Sequence, residues 1–256
     1  MKLKALIFDV DGTLADTEET HRLAFNEAFA SVGLDWQWDR SLYARLLRTT
    51  GGKERIATFI DTLGTPQPAR ERHVAMIPEI HRRKTALYAS MVEAGKAPLR
   101  DGVERLLDEA RHAGVRLAIA TTTTFENIRA LIDTNLGSGA IYRFDVIGAG
   151  DDVPCKKPAP DVYHFVMRKL GLGEDVCVAI EDSANGLKAA RAAGLFTVVT
   201  PSFWTMKEDL ADANLLLPTL GTAARPLSGP AAEVVGNSLL GIADIDRILT
   251  AARMDA

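Results

Sequence analysis

Cysteine is scarce in this sequence. Cys155 and Cys177 are the only two in 256 residues, far apart and at no metal-ligand spacing. A disulfide-stapled scaffold and a cysteine metal site both drop out, and reduced thiols of a cytoplasmic compartment are expected. Long apolar runs are also missing. No stretch approaches the roughly 18 uninterrupted apolar residues of a membrane helix, so no membrane partner is expected. The apolar start, MKLKALIFDV, is too short for a signal peptide and is interrupted by Asp9 and Asp11. Positive charge is not in excess: the formal net charge is -4, which favours neither nucleic acid nor an anionic membrane as partner. Any anion site must therefore be a local cluster. There is no internal repeat.

What remains is an ordinary globular composition, 47% hydrophobic and 25% charged, long enough for one large domain or two modest ones. Short β-rich runs recur at Lys4 to Phe8, Val115 to Ala120, Asp145 to Ile147, Val176 to Ile180 and Thr197 to Val199. Helical stretches separate them, among them Val103 to Ala113, Ala159 to Leu170 and Ala184 to Ala193. Gly114, Gly171 and Gly194 follow these helices, where a left-handed residue ends a helix. Alternating strands and helices predict an α/β fold with a doubly wound parallel sheet.

Residues 16–98 break the alternation. They carry helical patterning at His21 to Val32, Asp39 to Leu47, Lys53 to Leu63 and Ala69 to Val92, with Thr65-Pro66-Gln67-Pro68 as a loop, and no strand. The reading is a core of residues 1–15 and 99–220 with an all-helical cap of residues 16–98 inserted after the first strand. Residues 221–256 open in a Gly-, Pro- and Ala-rich linker and end in an amphipathic helix, Ile242 to Ala252, which either docks or mediates association.

The run LIFDVDGT places Asp9 and Asp11 at the end of a strand that reads as buried. An ionised carboxylate buried without a partner is costly, so a cation or a reacting group belongs there. In an open α/β sheet, ligands bind at the carboxyl ends of the strands. Those ends carry Asp9 and Asp11, then Thr121-Thr122-Thr123-Thr124, then Glu181-Asp182, with Lys156-Lys157-Pro158 in the loop after a further strand. Two acids, a hydroxyl run, two more acids and a lysine support one chemistry well. A carboxylate can attack phosphorus, hard oxygens suit Mg2+, and lysine and hydroxyl donors hold phosphoryl oxygens.

Here the sequence resembles the haloacid dehalogenase superfamily. DVDGT at Asp9 to Thr13 is similar to its motif one, Thr121 to motif two, Lys157 in KKPAPD to motif three, and Glu181-Asp182 in EDSANG to motif four. The order is that of subfamily I, whose helical cap follows motif one, and the resemblance runs to about residue 220. It implies a Rossmannoid core with Asp9 as nucleophile, Asp11 as acid/base, and Thr121 and Lys157 on the transferring phosphoryl group. It further implies Mg2+ as cofactor, held by Asp9, the Asp11 backbone carbonyl and Asp182, with Glu181 nearby. Singly, each motif has a plain structural use: a turn, a helix cap, a solvated lysine, an acidic helix start. Four in order outweigh those uses.

The cap's polar residues should select the substrate. Asp16, Thr17, Glu18 and His21 follow motif one closely. Arg48, Thr49, Gly51, Gly52 and Lys53 combine cations, a hydroxyl and approachable backbone, and Lys84 adds another cation. Thr122 and Thr123 complete the expected contacts. This is not a Walker A loop, since no Ser or Thr follows Lys53 and no strand precedes it. The set suits a sugar phosphate with two anionic ends. RTTGGKER, the threonine run and KKPAPDVY most resemble the CbbY-type phosphatases associated with the Calvin cycle, which implies xylulose-1,5-bisphosphate as substrate. A cytoplasmic monomer is expected.

Three rivals remain. A β-phosphoglucomutase-type enzyme shares motifs and cap, although Thr13 after Gly12 leans toward phosphatase. A receiver-like phospho-Asp domain would carry its Asp at the third strand. A dehalogenase needs no Mg2+, which Asp11, Glu181 and Asp182 together disfavour.

Overall fold

The computed structural model describes residues 2–254; residue 1 and residues 255–256, at the outer ends of the segments delimited above, lie outside it. The strands are β1 (Ala5–Phe8), β2 (Arg116–Ala120), β3 (Val146–Gly148), β4 (Cys177–Glu181), β5 (Phe196–Val199) and β6 (Leu215–Leu216). They form one sheet in the order β3-β2-β1-β4-β5-β6, every neighbouring pair parallel. The five β-rich runs each become a strand to within about a residue. β6, only two residues long at the sheet edge, had no run to announce it.

Side-chain alternation sorts the sheet's faces by size. Leu6, Phe8, Leu117, Ile119, Val178 and Ile180 point to one face, and Ala5, Ile7, Ala118, Ala120, Cys177 and Ala179 to the other. The mostly small residues of the second face let helices approach closely. Burial on both faces is what a parallel sheet requires.

Between β1 and β2 the chain forms α1 (Glu18–Ser31), α2 (Arg40–Leu46), α3 (Gly52–Thr62) and α4 (Gln67–Glu93). These pack around their own aromatic cluster of Phe25, Phe29, Trp36, Trp38, Tyr43 and Phe59. Gln67 and Pro68, expected in a loop, form the first turn of α4 with Pro66 as N-cap. A proline is accepted there because that N–H has no helical partner. The two crossings between helices and sheet are tied together: Asp16 N–H donates to Pro98 O, Arg100 N–H to Leu14 O, and Ala15 bridges Leu99.

The sheet is then flanked by α5 (Val103–His112), α6 (Phe125–Leu136), α7 (Asp161–Leu170) and α8 (Ala184–Ala192). Gly114, Gly171 and Gly194 all take positive φ, at 70°, 65° and 78°. The segment read as a linker is folded. It contains α9 (Gly229–Val235) and α10 (Ile242–Met254), and it buries Leu227, Val235, Leu240, Ile242, Ile245 and Leu249 in the core beneath the sheet. Asp246 in α10 accepts the N–H groups of Lys2 and Leu3 at 2.6 and 2.7 Å. The C-terminal helix therefore docks beside the start of β1. No helix among the described residues is long and apolar enough to cross a membrane.

Candidate active site

β1 lies between β2 and β4, so crossovers leave it in both directions and a crevice opens at its carboxyl end. Asp9 is the first residue beyond β1, its N–H donating to Ile180 O at 3.0 Å. The chain then turns at Gly12, where φ is +80° and a Cβ would fall inside the Asp182 carboxylate. Only glycine fits both demands.

Lys157 is the hinge of the charge pattern. Its ammonium donates to Asp9 Oδ1 at 2.7 Å and to Glu181 Oε1 at 2.6 Å, and Glu181 also accepts from Tyr163 OH. Burial works against the charge of Lys157, but Asp9 and Glu181 outweigh it and hold the ammonium above the ordinary lysine range. Asp182 accepts from Thr205 Oγ1 at 3.0 Å and forms no ion pair among the described residues. Burial, then Asp9 and Glu181, push it well above the usual carboxylate range. Burial likewise raises Asp9 to about 7, with Lys157 pulling against it.

Oxygens of Asp9, Glu181 and Asp182 lie within 4.8 Å of one another, all three residues buried. Three carboxylates against one lysine leave negative charge in excess, and every donor is a hard oxygen. The set fits a small divalent cation such as Mg2+.

Asp11 is engaged elsewhere. Its Oδ1 accepts from Thr17 Oγ1 at 2.7 Å and meets His21 Nε2 at 2.8 Å. On the far side of the ring, Lys84 Nζ donates to His21 Nδ1 at 2.5 Å. The imidazole stacks on Tyr88, centroids 4.0 Å apart, and the Lys84 ammonium lies over the Phe25 and Tyr88 rings. Burial works against the charge of Asp11, but His21, Thr17 and Lys84 overcome it and hold the carboxyl down at about 2. Burial pushes Lys84 down to about 7, Asp11 opposing it, and burial followed by Lys84 lowers His21. The ring is thus neutral, with its proton on Nε2 facing Asp11. The Asp11 carboxylate is not in the acidic cluster.

One cavity collects most of the residues singled out in the sequence. Asp9, Asp11, His21, Gly51, Gly52, Lys53, Lys84, Thr121, Thr122, Thr123, Lys157 and Asp182 all line it. Glu181 sits beneath, fully buried. Three expected contacts are placed differently. Asp16 lines a separate groove with Gly12, Leu99 and Arg100, its largely exposed side chain 3.6 Å from Arg100 Nε, because the extended crossing before α1 points it outward. Thr49 spends its hydroxyl on Thr58 at 3.3 Å. Arg48 contributes only its carbonyl, which accepts from Asn185 Nδ2 at 3.2 Å. Thr50 takes their place on the cavity wall.

Glu18 and Lys156, both among the polar residues read from the sequence, also line the cavity, as do Arg55 and His81, which were not anticipated. Glu18 accepts from Tyr43 OH at 2.6 Å, and that oxygen accepts from Arg55 Nη1 at 2.9 Å. The signal for Glu18 was present: it precedes His21 by three on α1, which places both on one helix face.

A family model described as haloacid dehalogenase-like hydrolase matches residues 3–194. The chain is 51% identical to protein CbbY of Rhodobacter capsulatus over 225 residues, 88% of this chain and 96% of that one. It is 52% identical to the plasmid protein CbbY of Cupriavidus necator over 226 residues, 88% and 89% of the two chains. A crystal structure of a mutant CbbY from Rhodobacter sphaeroides in complex with xylulose-(1,5)bisphosphate superposes with a TM-score of 0.80. It is 48% identical and covers 87% of this chain and 98% of that one.

Proposed function

We infer that this chain, which belongs to the haloacid dehalogenase-like hydrolase family, is a Mg2+-dependent phosphatase that hydrolyses a sugar bisphosphate through an aspartyl-phosphate. Xylulose-1,5-bisphosphate is the substrate proposed, supported by the ligand held in the similar CbbY structure. The observation that carries the reaction class is Asp9: a buried carboxylate at a strand end, bridged by Lys157 to Glu181 and open to a cavity rich in cations and hydroxyls.

In the first half-reaction Asp11, ionised in the free protein, takes up a proton from water as the phosphoryl dianion arrives beside it; an Asp9 carboxylate oxygen then attacks phosphorus and the ester oxygen leaves with the Asp11 proton. In the second, water attacks the aspartyl-phosphate, gives its proton to Asp11 and frees Asp9 and inorganic phosphate. Thr121 and Lys157 hold the phosphoryl oxygens where charge builds. Mg2+ would be held by Asp9, Asp182 and the Asp11 carbonyl, with Glu181 behind, and would neutralise phosphoryl charge when bound. His21 donates its Nε2 proton toward Asp11 and fixes that carboxylate's position, while Lys84 holds the ring from its other nitrogen. The residue 16–98 segment is the substrate-selecting cap on a core of residues 1–15 and 99–220, its Lys53 and first turn of α3 facing the second phosphate.

Phosphate release from xylulose-1,5-bisphosphate with Mg2+ tests this reading. The Asp9→Asn protein should release phosphate at under about one-thousandth of the normal rate, since a neutral amide is no nucleophile. Ordinary turnover by that variant would remove the mechanism. Conversion of β-glucose 1-phosphate to the 6-phosphate without phosphate release would assign a mutase instead.

A further inference from the structure

Beside the cavity that Asp9 lines, an ion pair joins the helical segment to the loop after β3. Lys156 Nζ lies 2.8 Å from Glu54 Oε1. Glu54 belongs to the first turn of α3, and Lys156 immediately precedes Lys157, whose ammonium touches Asp9. Gly51, just before α3, makes room for the pair. Its φ is +94°, and a Cβ there would overlap the Glu54 carboxylate and lie 3.0 Å from Lys156 Nζ.

The Glu54 carboxylate thus sits where an anion is favoured, over the unpaired N–H groups of a helix start and against a lysine. Lys156 lines the cavity together with Gly51, Gly52, Lys53 and His81. Lys53 forms no ion pair among the described residues. The pair is weakly anchored: the Lys156 side chain is 20% exposed and that of Glu54 45%. Exposed ion pairs of this kind contribute little stability and exchange partners readily. A phosphate dianion carries more charge and more acceptor oxygens than the carboxylate.

We propose that Lys156 determines specificity for a second anionic group, and that Glu54 is its occupant until the substrate's distal phosphate displaces it. The arrangement rests on the bisphosphate reading above. It adds that selectivity is a competition: a monophosphate leaves the Lys156–Glu54 pair intact, and a bisphosphate must break it to bind. Lys156 also links the distal site to the neighbouring Lys157 through the backbone.

Steady-state kinetics with xylulose-1,5-bisphosphate and with xylulose 5-phosphate test the proposal in Lys156→Met and Glu54→Gln proteins. Losing one charge-assisted contact should raise KM for the bisphosphate at least about tenfold more than for the monophosphate in Lys156→Met. Glu54→Gln should lower KM for the bisphosphate severalfold. Equal KM changes on both substrates in Lys156→Met would overturn the assignment, as would a raised bisphosphate KM in Glu54→Gln. If the unaltered protein hydrolyses neither compound, the function proposed above fails. The competition is then read in binding, from the thermal shift each compound gives in an Asp9→Asn background. The bisphosphate shift should fall in the Lys156→Met variant and grow in the Glu54→Gln variant, and the reverse would overturn the proposal.

Discussion

The acids at the end of β1 face opposite demands from their neighbours. Asp9 meets a lysine shared with a second carboxylate and is raised to about 7; Asp11 meets a hydroxyl and an imidazole and is held at about 2. Position alone does not separate them, since they lie two residues apart just beyond the same strand end, Asp9 buried and Asp11 largely so. What separates them is the third partner in each set, Glu181 for one and Lys84 for the other. Glu181 is in turn held by the space around it. Gly186, in the first turn of α8, lies so close that a Cβ there would fall inside the Glu181 carboxylate. In an ordinary helix, alanine would gain about 1 kcal/mol over glycine. Here a fully buried carboxylate would be forced off Lys157, and breaking a buried ionic contact costs about 3 kcal/mol or more. Gly186→Ala should therefore lower stability by about 2 kcal/mol and reduce phosphate release by at least about tenfold. Thermal unfolding and a phosphate assay on the same preparation check both, and a stabilised, active variant would show that the carboxylate has room to move.

At the scale of elements, periodicity and strand-end chemistry carried most of the fold. The runs at Leu6–Phe8, Leu117–Ala120 and Val178–Ile180 are uninterrupted apolar stretches that end in polar residues, so both the strands and the site they converge on were legible. Less was legible where an element is short or its position depends on distant packing. β6 has two residues, too few for a period. Phe125–Leu136 did carry a signal, with Ile128, Leu131 and Ile132 on one face after a Thr124 cap. Asp16, Arg48 and Thr49 could not be placed because their directions depend on how α1–α4 sit over the sheet, which no local pattern encodes. The Ala- and Pro-rich composition after Gly221 concealed buried Leu227, Val235 and Leu240.

Pro78 is the exception inside an element. It stands mid-way along the 27-residue α4, exposed, where it removes a helical hydrogen bond. Interior proline costs a helix about 3 kcal/mol, offset by about 1 kcal/mol through its stiffening of the unfolded chain. Pro78→Ala should therefore stabilise the protein by about 2 kcal/mol in denaturant unfolding. The same substitution should change KM, because the C-terminal half of α4 carries Lys84 to His21. A stabilised protein with unaltered KM would show that the proline does not set that contact.

For the whole molecule, the acidic cluster makes stability depend on pH and on metal together. Asp9 titrates at about 7 in the folded protein against 3.8 ordinarily, and Asp182 is raised as well. Between those values the unfolded chain has released protons that the folded one still holds. Stability from these groups is fully present below about pH 4 and is lost as pH rises toward 7. Asp11 acts in the opposite sense at lower pH: its carboxyl, held at about 2, contributes stability above about pH 4 that disappears as pH falls through 2. A divalent cation on Asp9 and Asp182 replaces protons, so its binding must release them and tighten as pH rises. Mg2+ should therefore raise Tm little at pH 5 and increasingly from pH 6 to 8. Chelation at pH 8 should cost several degrees, while at pH 5 it should cost almost nothing. The Asp182→Asn protein removes one of the two raised carboxyls, so it should lose most of the Mg2+ effect yet be the more stable protein without metal at pH 8. A Tm gain from Mg2+ that is equal at pH 5 and pH 8 would show that the cation binds away from these carboxylates.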